Sequence, residues 1–162
     1  MWKYRLYYGA ALLAALFLFL WSNTAPVLLF LLLLIFFPVC SGVMTGIWMH
    51  TLRLELLLPE TCVTGQEVSI RLKLTKKAGW LARQLVLPYT IHHHMFERQE
   101  EKRLSIFPGN KKEELYTLPV QTTLCGEVEI RTREIYCYDV LHLFCVKKAY
   151  RTKKKMSIYP AL

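Results

Sequence analysis

Hydrophobic and polar positions follow two different rules in the two parts of this chain. From Leu6 to Met49 no residue carries a charge. A hydrocarbon layer about 30 Å thick takes roughly 20 apolar helical residues to cross, so the stretch is long enough for two crossings and too long for one. Its natural break is Ser22-Asn23-Thr24-Ala25-Pro26. These residues are polar or turn-forming, and proline suits the first turn of a new helix, where its missing N–H would have no partner anyway. The pattern predicts a hairpin over residues 1–49, with helices at about 6–21 and 27–49. Pro38 is expected to kink the second helix. Trp2, Tyr4, Tyr7, Tyr8, Trp21 and Trp48 fall near the helix ends, where amphipathic rings sit at a lipid interface.

From Leu52 onward the period is two. Leu52, Leu54 and Leu56 alternate with Arg53 and Glu55, and Val68, Ile70, Leu72 and Leu74 alternate with Glu67, Ser69, Arg71 and Lys73. Side chains on a strand point alternately to opposite faces, so each run predicts a strand with one buried face. Further runs are 85–91, 103–107, 114–120, 127–138, 143–146 and 156–159. Pro59-Glu60, Thr64-Gly65, Pro108-Gly109-Asn110 and Cys125-Gly126 punctuate them. The basic stretch from Lys147 to Lys155 is read as a hairpin loop between the last two strands. No 3.6-residue period is present. The expected fold for residues 50–162 is an all-β antiparallel sandwich of immunoglobulin-like size, with seven or eight strands.

Composition sharpens this division. The 162 residues are 54% hydrophobic and 20% charged, with a net charge of +9. Every Asp and Glu lies at or beyond Glu55, and only Lys3 and Arg5 of the 21 basic residues precede Arg53. A single soluble globule, a disordered chain and a soluble enzyme filling the whole length are excluded. A signal peptide is the competing reading of the first helix, but a second apolar run follows at once and Asn23-Thr24-Ala25 is a poor cleavage site. Lys3 and Arg5 set a cytoplasmic N-terminus by the positive-inside rule. Two crossings return the chain to the cytoplasm, so the β domain, with a net charge of +7, is expected on the cytosolic side of the cell (inner) membrane. No ionisable residue lies inside either span, which argues against an ion or proton pathway.

The candidate chemistry is sparse. Gly42-Val43-Met44-Thr45-Gly46 places Gly42 and Gly46 in a spacing that lets helices approach closely, either within the hairpin or in a homodimer. Of five cysteines, Cys40 lies in the membrane stretch. Cys137 and Cys145 are expected inside the β domain with Ile135 and Leu143. A cytosolic domain keeps thiols reduced; on the other face of the membrane, Cys137–Cys145 or Cys62–Cys125 disulfides become reasonable. In His92-His93-His94 only the outer two can share a strand face, and structural zinc wants four ligands, so no metal site is expected. Cys137, His142 and Asp139 form a triad on paper, but they share one strand and its turn, which does not make them converge. No catalytic residue and no cofactor is expected. Lys147, Lys148, Arg151, Lys153, Lys154 and Lys155 form a run without an acid, which either is solvated or meets anionic lipid or a partner. No nucleic-acid recognition motif accompanies it.

The run Leu124-Cys125-Gly126-Glu127-Val128-Glu129-Ile130, then Tyr136-Cys137-Tyr138-Asp139-Val140-Leu141-His142-Leu143-Phe144, and finally Ile158-Tyr159-Pro160, resembles the pattern of the domain of unknown function 58 family. These are bacterial membrane proteins with two helices followed by a β-sandwich. The resemblance covers the layout of the whole chain and about 40 residues of motif: Gly126, Asp139, Leu143, Phe144, Tyr159 and Pro160. Asp139 would accept N–H groups of its turn, and one of Leu143 and Phe144 would enter the core. Position 142 is usually glycine in the family; here it is His142, a type enriched among residues of positive φ. The family continues into a von Willebrand factor A-like domain where this chain stops, so the family's metal site does not carry over; a stand-alone anchor and a truncated or split member are both open readings. The resemblance also implies a MoxR-type AAA+ ATPase as partner. The expected function is a membrane-anchored, non-enzymatic interaction or scaffold module. A metal sensor or small membrane enzyme around His92–His94, or an anionic-lipid-binding basic domain, are the alternatives.

Overall fold

A computed structural model describes residues 2–64, 68–76, 84–120 and 125–160. Gly65, Glu67 and Leu124 of the patterns above lie outside the described residues, as do the side chains of Val68 and Ser69. Helix α1 spans Trp2–Ser22 and helix α2 spans Ala25–Thr51. Both are long and apolar enough to cross a membrane. Thr24 is the N-cap of α2 with Pro26 in its first turn, and Asn23 makes the reversal at φ 43°. Both helices extend slightly further at their ends than the charge pattern alone suggests.

Most large side chains of the hairpin face outward: Leu13, Phe17, Leu29, Leu33, Phe36 and Phe37 are all exposed. That surface suits lipid and not water. Ala15, Leu31, Pro38 and Thr45 are buried along it. Pro38 removes the N–H that the Leu34 carbonyl would otherwise receive within the helix. The Tyr8 hydroxyl of α1 donates to that same carbonyl, so the partner helix repairs the gap that proline opens.

The β domain has two sheets. Strands β1 (Arg53–Leu57), β3 (Val68–Thr75) and β6 (Glu113–Val120) form one, in the order β1-β3-β6. The other has the order β2-β8-β7-β4-β5, built from β2 (Thr61–Val63), β4 (Gln84–His93), β5 (Arg98–Ile106), β7 (Gly126–Tyr138) and β8 (Cys145–Tyr159). Ile70, Leu72, Leu74 and Leu118 from the first sheet share one cluster with Leu85, Leu87, Ile91, Ile130, Ile135, Cys137, Met156 and Ile158 from the second.

Three expectations about this domain are corrected. The basic stretch is not a hairpin loop: β8 is one unbroken strand of 15 residues, because its lysines alternate faces and their stems can cover apolar neighbours. The domain is not wholly antiparallel: the short strand β2 pairs parallel to β8, Thr61 with Ser157 through Val63 with Tyr159. Strand β5 begins at Arg98, before its apolar pattern does.

The border between the two parts also shifts. Trp48 and Met49 are 2% exposed and belong to the β-domain core with Leu52 and Leu56. Trp48 is therefore not an interfacial anchor. The last turns of α2 leave the hairpin and enter the domain, and only Leu52 separates α2 from β1.

Candidate functional site

Three of the residues singled out by the family resemblance, Asp139, Leu143 and Phe144, lie on one turn where the β domain meets the hairpin. Asp139 is buried at the end of β7. One carboxylate oxygen accepts the Phe144 N–H at 2.8 Å, and the other lies 3.4 Å from the Ser41 hydroxyl of α2. His142 holds φ 54° and stacks on Tyr4 of α1, with ring centroids 5.6 Å apart. Tyr138 also lies tilted against the His142 ring, with centroids 5.7 Å apart. Arg5 of α1 donates to the Leu143 carbonyl at 3.0 Å. Leu143 is buried and Phe144 is not.

Phe144 instead lies on α2. A Cβ added at Gly42 would sit 3.3 Å from its ring, so the bare glycine is what lets the ring settle there. The spacing alone assigns Gly42 to helix packing or a dimer face; its neighbour is the β domain. At Gly46 an added Cβ would meet nothing within 4 Å. Side chains from both helices and the turn thus form a clasp: Tyr4, Arg5, Ser41, Asp139, His142 and Phe144.

At the far end of β7, Gly126 has φ 121°, and an added Cβ would fall 2.7 Å from the Met95 sulfur. The positive φ is what calls for glycine there, since the exposed Met95 side chain can move aside. Tyr159 is exposed, but its carbonyl accepts from the Thr64 N–H at 2.8 Å and the Thr64 hydroxyl at 2.7 Å. Pro160 follows directly and is exposed.

Strand β8 sorts the basic run into two sets. Lys148 and Lys154 turn inward. Lys148 donates to the carbonyls of Met49 at 2.9 Å and Leu52 at 2.6 Å, and Lys154 to that of Leu56 at 2.5 Å. Carbonyls at a helix C-terminus lack intrahelical donors, and a cation there also suits the helix dipole. Burial holds the Lys148 ammonium below the usual lysine range, with Arg53 adding to it. These contacts also fix direction. Phe144 meets residue 42, Lys148 meets residues 49 and 52, and Lys154 meets residue 56. Strand β8 therefore runs beside the exit of α2 and away from the hairpin.

Lys147, Arg151, Lys153 and Lys155 face outward. From Lys147 to Lys155 the strand advances about 26 Å, several Debye lengths at physiological salt. Lys147 lies nearest the hairpin end of the strand and Lys155 farthest from it.

On the outer face of the larger sheet, the Glu129 carboxylate is fully buried. The Glu129 side chain is covered by Arg131, which pairs with one oxygen, and by His94 and Lys153, each 3.3 Å from the other. The Arg131 hydrogen bond, against the opposing effect of burial, holds its carboxyl down at about 2. Nothing local in the sequence marks Glu129 as buried; its cover comes from Arg131 on β7, His94 just after β4 and Lys153 on β8.

His92 and His94 do share a face, with ring centroids 4.9 Å apart, edge to face. His93 is buried on the opposite side. Among the described residues no group of three or more His, Cys, Asp or Glu is arranged to hold a metal ion. Cys137, Asp139 and His142 stay apart in role: Cys137 is in the core, while the other two belong to the clasp. Cys137 pairs in register with Val146, and Tyr138 with Cys145, so Cys145 takes the opposite face from Cys137. That corrects the expectation that both point inward. None of the five cysteines is in a disulfide, and Cys125 lies 3.1 Å from the Thr64 hydroxyl.

No family model matches the chain, and no curated protein matches it. Solved structures align with it only weakly. A cohesin module from a family 33 glycoside hydrolase of Clostridium perfringens aligns with a TM-score of 0.43 at 8% identity, covering 68% of this chain and 98% of that one. A superoxide reductase (neelaredoxin) from Ignicoccus hospitalis aligns with a TM-score of 0.35 at 14% identity, covering 68% of this chain and 81% of that one.

Proposed function

We propose that this protein is a membrane-anchored, non-enzymatic interaction module. A two-span hairpin fixes a β-sandwich on the cytosolic face of the membrane, as a scaffold within a MoxR-type AAA+ ATPase-linked system. The single observation that supports this reading is the clasp. The motif residues that resemble the domain of unknown function 58 family, Asp139 and Phe144, bind the hairpin through Ser41 and Gly42. Their use is to hold a domain in a fixed attitude to the bilayer, which is what a scaffold requires. The orientation rests on Lys3 and Arg5.

The test has two arms on the full chain. A cysteine introduced at exposed Lys111 is probed with a membrane-impermeant thiol reagent; labelling in lysed but not intact cells is expected, and labelling in intact cells overturns the orientation. Crosslinking in cells followed by affinity recovery in detergent is expected to bring down an AAA+ ATPase. Repeated recovery without one, with the domain shown to be cytosolic, removes the ATPase link.

A further inference from the structure

The outer face of the five-stranded sheet carries a cationic groove that the basic run of β8 only partly announces. Strand β7 breaks its alternation in the middle. Thr132 and Ile135 both face inward, so Arg133 and Glu134 fall between two inward positions. The pairing with β4 shifts between Val86 and Tyr89, and that with β8 between Thr132 and Glu134. Such a bulge re-aims side chains.

Two hollows open on either side of it, about 390 Å³ toward β4 and β5 and about 720 Å³ toward β8. They share Arg131, Arg133 and Glu134. Lys102 and Arg103 line the first; Lys147, Arg151 and Lys153 line the second. Arg131 and Lys153 are engaged by Glu129, and Lys102 by Glu100. Among the described residues, Arg103, Arg133, Lys147 and Arg151 have no ion-pair partner. The lining acids are Glu134, which accepts from the Tyr136 hydroxyl, and Glu101.

We propose that this groove binds an extended acidic peptide segment of a partner protein. Guanidinium forks match carboxylates in pairs, and most of the lining cations are arginines. From Arg103 on β5 to Arg151 on β8 the groove crosses three inter-strand gaps, about 14 Å, the reach of roughly four extended residues. The face is unsuited to lipid because β8 leads away from the hairpin. It is also unsuited to base stacking: the Tyr136 ring is covered by the Lys147 ammonium, 5.2 Å from its centroid. The inference deepens the scaffold reading by naming the chemistry of the partner.

The test uses the full chain in neutral detergent and fluorescein-labelled decaglutamate, read by anisotropy. Saturable binding is expected, at least about tenfold weaker at about 300 mM than at about 50 mM salt. The double variant R133E/R151E is expected to lose at least about tenfold in affinity. The charge-matched double K111E/K112E, whose lysines are exposed outside the groove, is expected to stay within about twofold. R133Q/R151Q repeats the test should the first double fail to fold. No binding, or equal loss in the two charge-reversed doubles, overturns the groove. So does stronger competition by phosphatidylglycerol vesicles or a decanucleotide than by unlabelled decaglutamate. No ATPase takes part in the assay, so its failure leaves the ATPase link standing and loss of that link leaves the groove standing.

Discussion

Lys148 is the most exposing single test of how the β domain is joined to the hairpin. The substitution Lys148→Met keeps the length and most of the apolar stem but removes the ammonium. Two charge-assisted hydrogen bonds are lost, to the Met49 carbonyl at 2.9 Å and the Leu52 carbonyl at 2.6 Å. Bonds of this kind contribute about 1.5–3 kcal/mol each. The loss is offset by relief of the ammonium's desolvation, which already depresses its proton affinity, and by water reaching this half-buried site. A net loss of about 2 kcal/mol follows. For a domain of this size that lowers Tm by roughly 8 °C. The measurement is thermal unfolding of the full chain in detergent, followed by β-sheet circular dichroism. The control is Lys147→Met, one residue away on the outer face, expected within about 2 °C of the parent because exposed cations contribute little. Equal shifts in the two variants would refute the claim that Lys148 holds the end of α2.

Other outcomes test the remaining contacts. Glu129 has its carboxyl held at about 2 by Arg131, with His94 and Lys153, against an ordinary value of 4.5. Its folded pKa is depressed, so its contribution is present above about pH 4.5 and is lost as pH falls toward 2. Urea midpoints at about pH 6 and about pH 3 should differ more in the parent than in Glu129→Gln; equal differences count against this carboxylate. Gly42→Leu should displace the Phe144 ring and destabilise by about 1–3 kcal/mol, and adding Phe144→Ala should restore part of the loss. Additive effects in that cycle would deny the contact. Tyr8→Phe leaves the Leu34 carbonyl beside Pro38 without its donor, with an expected loss of about 0.6–1.7 kcal/mol. Refolding equilibria of the hairpin in detergent measure it, and no change would mean another group satisfies the carbonyl.

The two regimes of the chain were legible because each follows from a period and a length. The charge-free run from Leu6 to Met49 can bury its backbone polar groups in lipid only as helices, and alternation over Leu54, Leu56 and Ile70 to Leu74 fits only strands. The turn at Asp139 was legible for a local reason, since a carboxylate and a positive φ are properties of a few consecutive residues. The basic run was misread for the same reason. Along the sequence it is a block of like charges. On the strand it is two sets, Lys148 and Lys154 serving carbonyls of α2 and β1, and the rest facing solvent. Trp48 was misplaced because nothing local tells lipid from a protein core, as both are apolar.

What the sequence determined by itself was the order of environments, because hydrophobic period and charge act residue by residue. What only the tertiary structure decided was where those environments meet. Gly42 lies under Phe144, Arg5 reaches the Leu143 carbonyl, and Glu129 is buried beneath Arg131 and Lys153. Most of these partners are far apart in the chain. Only the last turns of α2 passing into the domain, and the register of β7 against β8, bring them together. Contacts of that kind depend on the path of the whole chain, to which no local pattern of residues is sensitive.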